Sequence, residues 1–254
     1  MQRHLYLDIE TIPAQRPDVL AEIKEAKQLQ LAADIEAICA PGNYKDPEKI
    51  AAWLTNEGQA KAQALRNAFD AEVDAEYRKT GLDGAFGQVC VIGWALEDGE
   101  PHTQYGLEWA RQDCEKKLLL DFVEALAGAI PRSEELSTTI IGHNVLNFDL
   151  RYIIQRSIVN RVKPHGIIAR ASQAKPWELD RVFDTMTQWG GSGARPGGSL
   201  DKLCKALSIK SPKGDITGAT VWDAVRDGRI ADVAAYCAGD IRATREVHKR
   251  LTFA

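Results

Sequence analysis

Four carboxylates and a tyrosine in this chain have the types and local spacing for cation-assisted hydrolysis. Asp8 and Glu10 stand in LYLDIET, Asp149 in GHNVLNFDLRYI, and Asp240 in YCAGDIRATREVH, a segment that opens on Tyr236. On a strand, residues i and i+2 point to one face, so Asp8 and Glu10 project together. On a helix, residues four apart share a face, so Tyr236 and Asp240 do likewise. Carboxylates gathered in one place repel one another, and the cluster is costly unless cations neutralise it. Two divalent ions about 3.5–4 Å apart would do so and would clamp both oxygens of an in-line phosphoryl displacement. These residues therefore suit cleavage of a phosphodiester, with the Tyr236 hydroxyl hydrogen-bonded to the attacking water. Asp232, four residues before Tyr236, shares its helix face and competes for the ligand role. His248, about two turns past Asp240, is expected on the same side.

Strands and helices must bring these residues together. RHLYLDI (3–9) has strand composition and ends in the acidic pair. VCVIGWAL (89–96) is a continuous apolar run, as a strand buried on both faces requires. After the turn at 98–101, residues 103–107 can pair with it. Leu118, Leu119, Phe122, Leu126 and Ile130 mark an amphipathic helix over 111–130, which Pro131 stops. TTIIG (138–142) is a further strand, and a helix starts over 148–157. A short strand follows at 181–184, Ser199 caps a helix from Leu200, and 231–251 is a long final helix. This alternation predicts an α/β layer structure with a mixed sheet, in one domain over 1–254. Residues 18–80 break the rhythm. They are rich in Ala, Glu, Lys and Gln, and predict a helical insertion after the first strand, interrupted at Pro41-Gly42-Asn43. A wall over the site, a partner surface and plain packing are all open for it.

The 254 residues, 44% hydrophobic and 27% charged, suffice for one sizeable core. No run of about 18 apolar residues occurs, so no membrane span is expected. A strand starting at His4 leaves no room for a signal peptide. The five cysteines, Cys39, Cys90, Cys114, Cys204 and Cys237, are scattered and never form CxxC, which fits a reducing, cytoplasmic location. The net charge of −4 hides an asymmetry. Residues 18–80 carry 12 acidic and 8 basic side chains, whereas 151–215 carry 5 acidic and 12 basic, a local excess of +7. Such an excess between two acidic motifs could hold a polyanion. GGSGARPGG (190–198) is flexible by composition. With Arg195, Lys202, Lys205, Lys210 and Lys213 it could grip a phosphate backbone, and His143 is a further candidate for phosphate contact.

In order and spacing the three acidic segments resemble the DEDD superfamily of 3′–5′ exonucleases, in the subgroup that carries a tyrosine. IIGHNVLNFDLRYIIQRS is most similar to the proofreading exonuclease domain of family B DNA polymerases. The resemblance covers nearly all of the chain outside 18–80 and leaves no room for a polymerase domain, so it implies a stand-alone relative. It implies a ribonuclease H-like α/β fold and Mg²⁺ or Mn²⁺ as cofactor, two ions per site. Asp8, Glu10, Asp149 and Asp240 become the metal ligands, Asp8 bridging both ions, and Tyr236 orients the water. Thr11, Pro13, Asn144 and Phe148 would meet the end of the strand. Asp184 matches an acidic position in relatives and reads as structural. The implied reaction is 3′–5′ hydrolysis of single-stranded DNA, releasing nucleoside 5′-monophosphates. An exoribonuclease, or a non-catalytic nucleic-acid-binding module on the same fold, are the alternatives. An endonuclease fits less well, because Tyr236 and Phe148 suit a strand end.

Overall fold

The computed structural model describes residues 2–111, 113–191, 197–211 and 214–254. Its centre is strand β1 (Arg3–Ile12), which pairs antiparallel with β2 (Gln88–Leu96); β2 pairs antiparallel with β3 (His102–Tyr105). On the other side β1 runs parallel to β4 (Thr138–Gly142), and β4 parallel to β5 (Val182–Asp184). The five-stranded mixed sheet thus has the order β3-β2-β1-β4-β5. The helices are α1 (Pro17–Glu36), α2 (Pro47–Trp53), α3 (Gln59–Lys79), α4 (Cys114–Ala129) and α5 (Asp149–Asn160), then α6 (Gly166–Ala171), α7 (Thr185–Gly190), α8 (Leu200–Ala206), α9 (Val221–Arg226) and α10 (Ile230–Thr252).

β2 and β4 are buried on both faces almost throughout, so the sheet needs helices above and below. Alternation along β1 sorts its side chains between the two layers. Leu5, Leu7 and Ile9 pack with Phe122 and Leu126 of α4, Leu150 and Ile153 of α5, and Ile167 of α6. Tyr6 and Ile12 pack on the other side with Val221 and Val225 of α9 and Val233, Cys237 and Ile241 of α10. Asp8 and Glu10 share the parity of Tyr6, which turns them toward α10.

The expected strands and long helices are present, with ends moved by a few residues. β1 runs on to Ile12 because its pairing with β2 continues, through a bulge between Glu10 and Thr11. Three helices escaped the sequence reading: α6, α7 and α9 have six residues each, too few to show a period. The insertion is helical as expected, and α1 packs along α3 with Lys27 paired to Glu72. Its break is wider than 41–43: α1 ends at Glu36, and α2 starts only at Pro47, where Asp46 caps it. The returning end is tied to the exit of β1. The Ala14 amide donates to Thr80 Oγ1 (2.9 Å), and the Tyr77 hydroxyl donates to the Ala14 carbonyl (2.8 Å). Arg78 binds both carboxylate oxygens of Asp223 in α9 (2.9 and 2.7 Å). No helix among the described residues is long and apolar enough to cross a membrane.

Candidate active site

The acidic residues meet at the C-terminal end of β1, on the edge where parallel strands leave a crevice. Parallel pairing of β1 with β4 runs only from Arg3↔Thr138 to Tyr6↔Ile141. Beyond it the Ile9 amide has no strand partner on that side. The carboxylate of Asp149, the first residue of α5, takes that amide (3.0 Å) and so ties the helix start to the acidic strand. A carboxylate there also favours the positive end of the helix.

α10 approaches from the other layer. Gly93 on β2 stands opposite Asp8, and a β-carbon at that position would lie 2.6 Å from Cys237 Sγ and 2.7 Å from Ile241 Cδ1. Only a glycine lets the helix settle this close. The result brings Tyr236 and Asp240 to the Asp8–Glu10 face, where the tyrosine hydroxyl lies among the charges of Asp240, Glu10 and Asp8.

The electrostatics follow from this crowding. Burial, then the charges of Glu10, Asp149 and Asp240, hold the Asp8 carboxyl well above the ordinary carboxylate range. Burial, then Asp240 and Asp149, do the same to Glu10. Asp149 is pushed up to about 7, chiefly by burial, against the pull of its own amide and that of Ile9. Tyr236 is raised too, by burial and then by Asp240, so it stays a phenol. One Asp8 carboxylate oxygen is buried and accepts no hydrogen bond from a described residue. Hard oxygen donors that repel one another, one of them without a partner, fit a divalent cation. Asp8, Glu10, Asp149 and Asp240 are the residues that would hold it.

Of the four residues expected at the strand end, Thr11 directly follows Glu10 on β1 and Phe148 directly precedes Asp149. The Tyr152 hydroxyl donates to the Gly81 carbonyl (3.0 Å), and the Tyr152 ring centroid lies 5.4 Å from that of Phe148. The Phe148 amide donates to the Asn144 carbonyl (3.0 Å). Asn144 takes a left-handed backbone (φ 61°). Phe148 is half-buried and packs partly into the α5 side of the core, while also lining a cavity of about 200 Å³ with Leu82, Asp83, Arg151 and Gln155. Sequence reasoning missed this cavity, because Leu82 and Asp83 lie outside every motif and far from Phe148 along the chain. Pro13 is buried at the exit of β1.

Other candidates sit elsewhere. Asp232 is exposed and paired with Arg229 (2.8 Å). His248 is buried and accepts or donates at Tyr6 (3.0 Å), away from the carboxylates. His143 is not available for phosphate: its ring nitrogens contact Thr185 Oγ1 and the Gly198 carbonyl, both at 3.0 Å. Asp184 is structural, as expected. It caps α7 through the Met186 and Thr187 amides, and it takes the amides of Asn144 and Leu146 (both 3.1 Å), which fixes the turn before Asp149. The basic excess is partly spent inside the fold. Arg156 is buried against Glu115 (2.8 and 2.7 Å), and Arg170 donates to the carbonyls of Glu135 and Thr138. Lys202, Lys205 and Lys210 are exposed; Arg195 and Lys213 lie outside the described residues.

A mixed sheet of this order, with helices on both faces, is the ribonuclease H-like fold of polymerase-associated exonuclease domains. The chain belongs to the family described as "Predicted 3'-5' exonuclease related to the exonuclease domain of PolB", which residues 85–253 match. That span holds Asp149, Tyr236 and Asp240; Asp8 and Glu10 precede it. Among solved structures the chain is similar to the family B DNA polymerase from the hyperthermophilic archaeon Pyrobaculum calidifontis, with a TM-score of 0.54 and 14% identity. The match covers 99% of this chain and 25% of the polymerase, so the chain spans about a quarter of that protein's length and shares its fold. No curated protein matches the sequence.

Proposed function

We propose that the protein removes nucleotides from the 3′ end of single-stranded DNA, releasing nucleoside 5′-monophosphates. Asp8, Glu10, Asp149 and Asp240 hold two divalent cations, Mg²⁺ or Mn²⁺. The observation that carries this reading is the buried Asp8 oxygen without a hydrogen-bond partner, set among three further carboxylates. A module that only bound nucleic acid would gain nothing from four carboxylates that repel phosphate. Bound there, the cations supply an acidified water and charge stabilisation at the leaving 3′ oxygen. Tyr236 keeps its proton and orients the water by hydrogen bonding, and cannot serve as the base. Thr11, Asn144 and Phe148 seat the last nucleotide, the Phe148 ring against a base. The five unpaired cysteines support a cytoplasmic setting.

End-labelled DNA and RNA strands, with free or blocked 3′ ends and with or without Mg²⁺ or Mn²⁺, test the reading. Stepwise shortening of free 3′ ends on single-stranded DNA is expected, with loss of hydrolysis in Asp8→Ala and Asp240→Ala. Full activity in either variant, or cutting inside a blocked strand, overturns it. Preferential digestion of RNA would replace the DNA assignment by an exoribonuclease. Binding without cleavage under every ion would leave the non-catalytic module.

A further inference from the structure

Cys237 has no part in the proposed hydrolysis, yet its sulfur lies inside the acidic cluster. Cys237 Sγ, one Asp8 carboxylate oxygen and one Glu10 carboxylate oxygen all lie within 4.8 Å of one another. The thiol is wedged in place: it is buried, Gly93 leaves the space it fills, and it reaches the main-chain oxygen of Asp8 at 3.6 Å. The carboxylates beside it are short of partners. Glu10 is only 8% exposed and takes no hydrogen bond from a described residue, and one Asp8 oxygen is buried without one.

We propose that Asp8, Glu10 and Cys237 form a capture site for a thiophilic divalent cation of the zinc or cadmium class, whose binding silences the enzyme. Two oxygens and one sulfur make a donor set that a soft or borderline ion prefers, and for which Mg²⁺ has no use. Around a tetrahedral ion, bonds of about 2.0 Å to oxygen and 2.3 Å to sulfur set donors about 3.5 Å apart, so a contraction of roughly 1 Å closes the shell. On binding, the thiol S–H bond breaks, a metal–sulfur bond forms, and the proton leaves to solvent; nothing is oxidised. An ion held this way takes Asp8 and Glu10 out of register with Asp149 and Asp240, which costs the arrangement that hydrolysis needs. The inference shares two ligands with the proposed active site, but its principal readout does not depend on turnover.

The test uses the full chain carrying Cys39→Ser and Cys114→Ser, which removes the thiols outside the core. One equivalent of Cd²⁺ should produce the ultraviolet thiolate-to-metal charge-transfer band, and a further Cys237→Ser or Cys237→Ala change should abolish it. Zinc affinity, by competition with a chromophoric chelator, should fall about tenfold or more in those variants relative to Mn²⁺ affinity. If neither variant folds, zinc-edge X-ray absorption of the parent decides: sulfur at about 2.3 Å supports the site, and an oxygen-only shell overturns it. Absence of the band, or an unchanged zinc-to-manganese ratio in both variants, also overturns it. A band without any nuclease activity would sink the proposed function and leave this site standing. Hydrolysis with Mn²⁺ that one equivalent of zinc does not inhibit would do the reverse.

Discussion

Asp149 is charged at a cost that the metal-free protein should reveal. Burial raises its carboxyl from 3.8 to about 7, with Asp184 and Asp240 adding to the shift and two amides opposing it. Because the folded value lies above the unfolded one, the associated stability is fully present below about pH 4 and is lost as pH rises through 7. From pH 5 to 7 the loss runs at about 1.4 kcal/mol per pH unit, about 3 kcal/mol in all. For a domain of this size that is roughly 6–12 °C in Tm. Asp149→Asn retains an oxygen for the Ile9 amide and cannot ionise. In chelator, the variant's Tm relative to the wild type should rise by about 6–12 °C between pH 5 and pH 8. His248, held down to about 4 by burial, has the opposite linkage: its stability is present above its usual value and is lost as pH falls through 4. It is common to both proteins and cancels in the difference. Saturating Mn²⁺ at pH 8 should raise the wild-type Tm and close the gap. Calorimetry across pH 5–8 measures this, and a gap independent of pH would refute the account of a neutral, buried Asp149.

Three further outcomes follow from named contacts. Tyr236→Phe should lower kcat by about 100-fold with little change in KM, because the phenol aligns water and does not hold the strand; quenched-flow turnover on a short oligonucleotide reads it, and an unchanged kcat would remove Tyr236 from the reaction. Arg156→Met should cost about 3–5 kcal/mol in urea unfolding, since it strands Glu115 as a buried unpaired charge, and Glu115→Leu in the same chain should recover most of that; a loss under about 1 kcal/mol would show that water reaches the pair. Gly93→Ala should cost about 1–3 kcal/mol by overpacking against Cys237 and Ile241. It should also cut hydrolysis at temperatures where the variant stays folded, because the strain falls on the turn of α10 that carries Asp240; full activity would mean that α10 tolerates the shift.

Local pattern carried a great deal here, for reasons of period. A two-residue alternation is enough to place Asp8 and Glu10 on one face of β1, and a four-residue spacing enough to align Tyr236 with Asp240. A continuous apolar run was enough to mark β2 as a strand covered on both sides. Period alone could not separate Asp240 from Asp232, which shares its helical face but lies exposed in the first turn of α10 beside Arg229. Nor could a charge count over 151–215 tell outward lysines from Arg156, which turns inward to Glu115. The six-residue helices α6, α7 and α9 contain too little repeat to be seen at all.

The sequence by itself determined which groups could do the chemistry and which of them are neighbours along one element. Only the tertiary structure decided how those elements meet. Asp149 joins Asp8 because the β1–β4 pairing stops at Tyr6 and leaves the Ile9 amide for it. Cys237 enters the acidic cluster because Gly93, more than a hundred residues away in the chain, has no side chain to keep α10 off the sheet. Distances across a sheet are set by packing and hydrogen bonding between remote segments, and no local spacing encodes them.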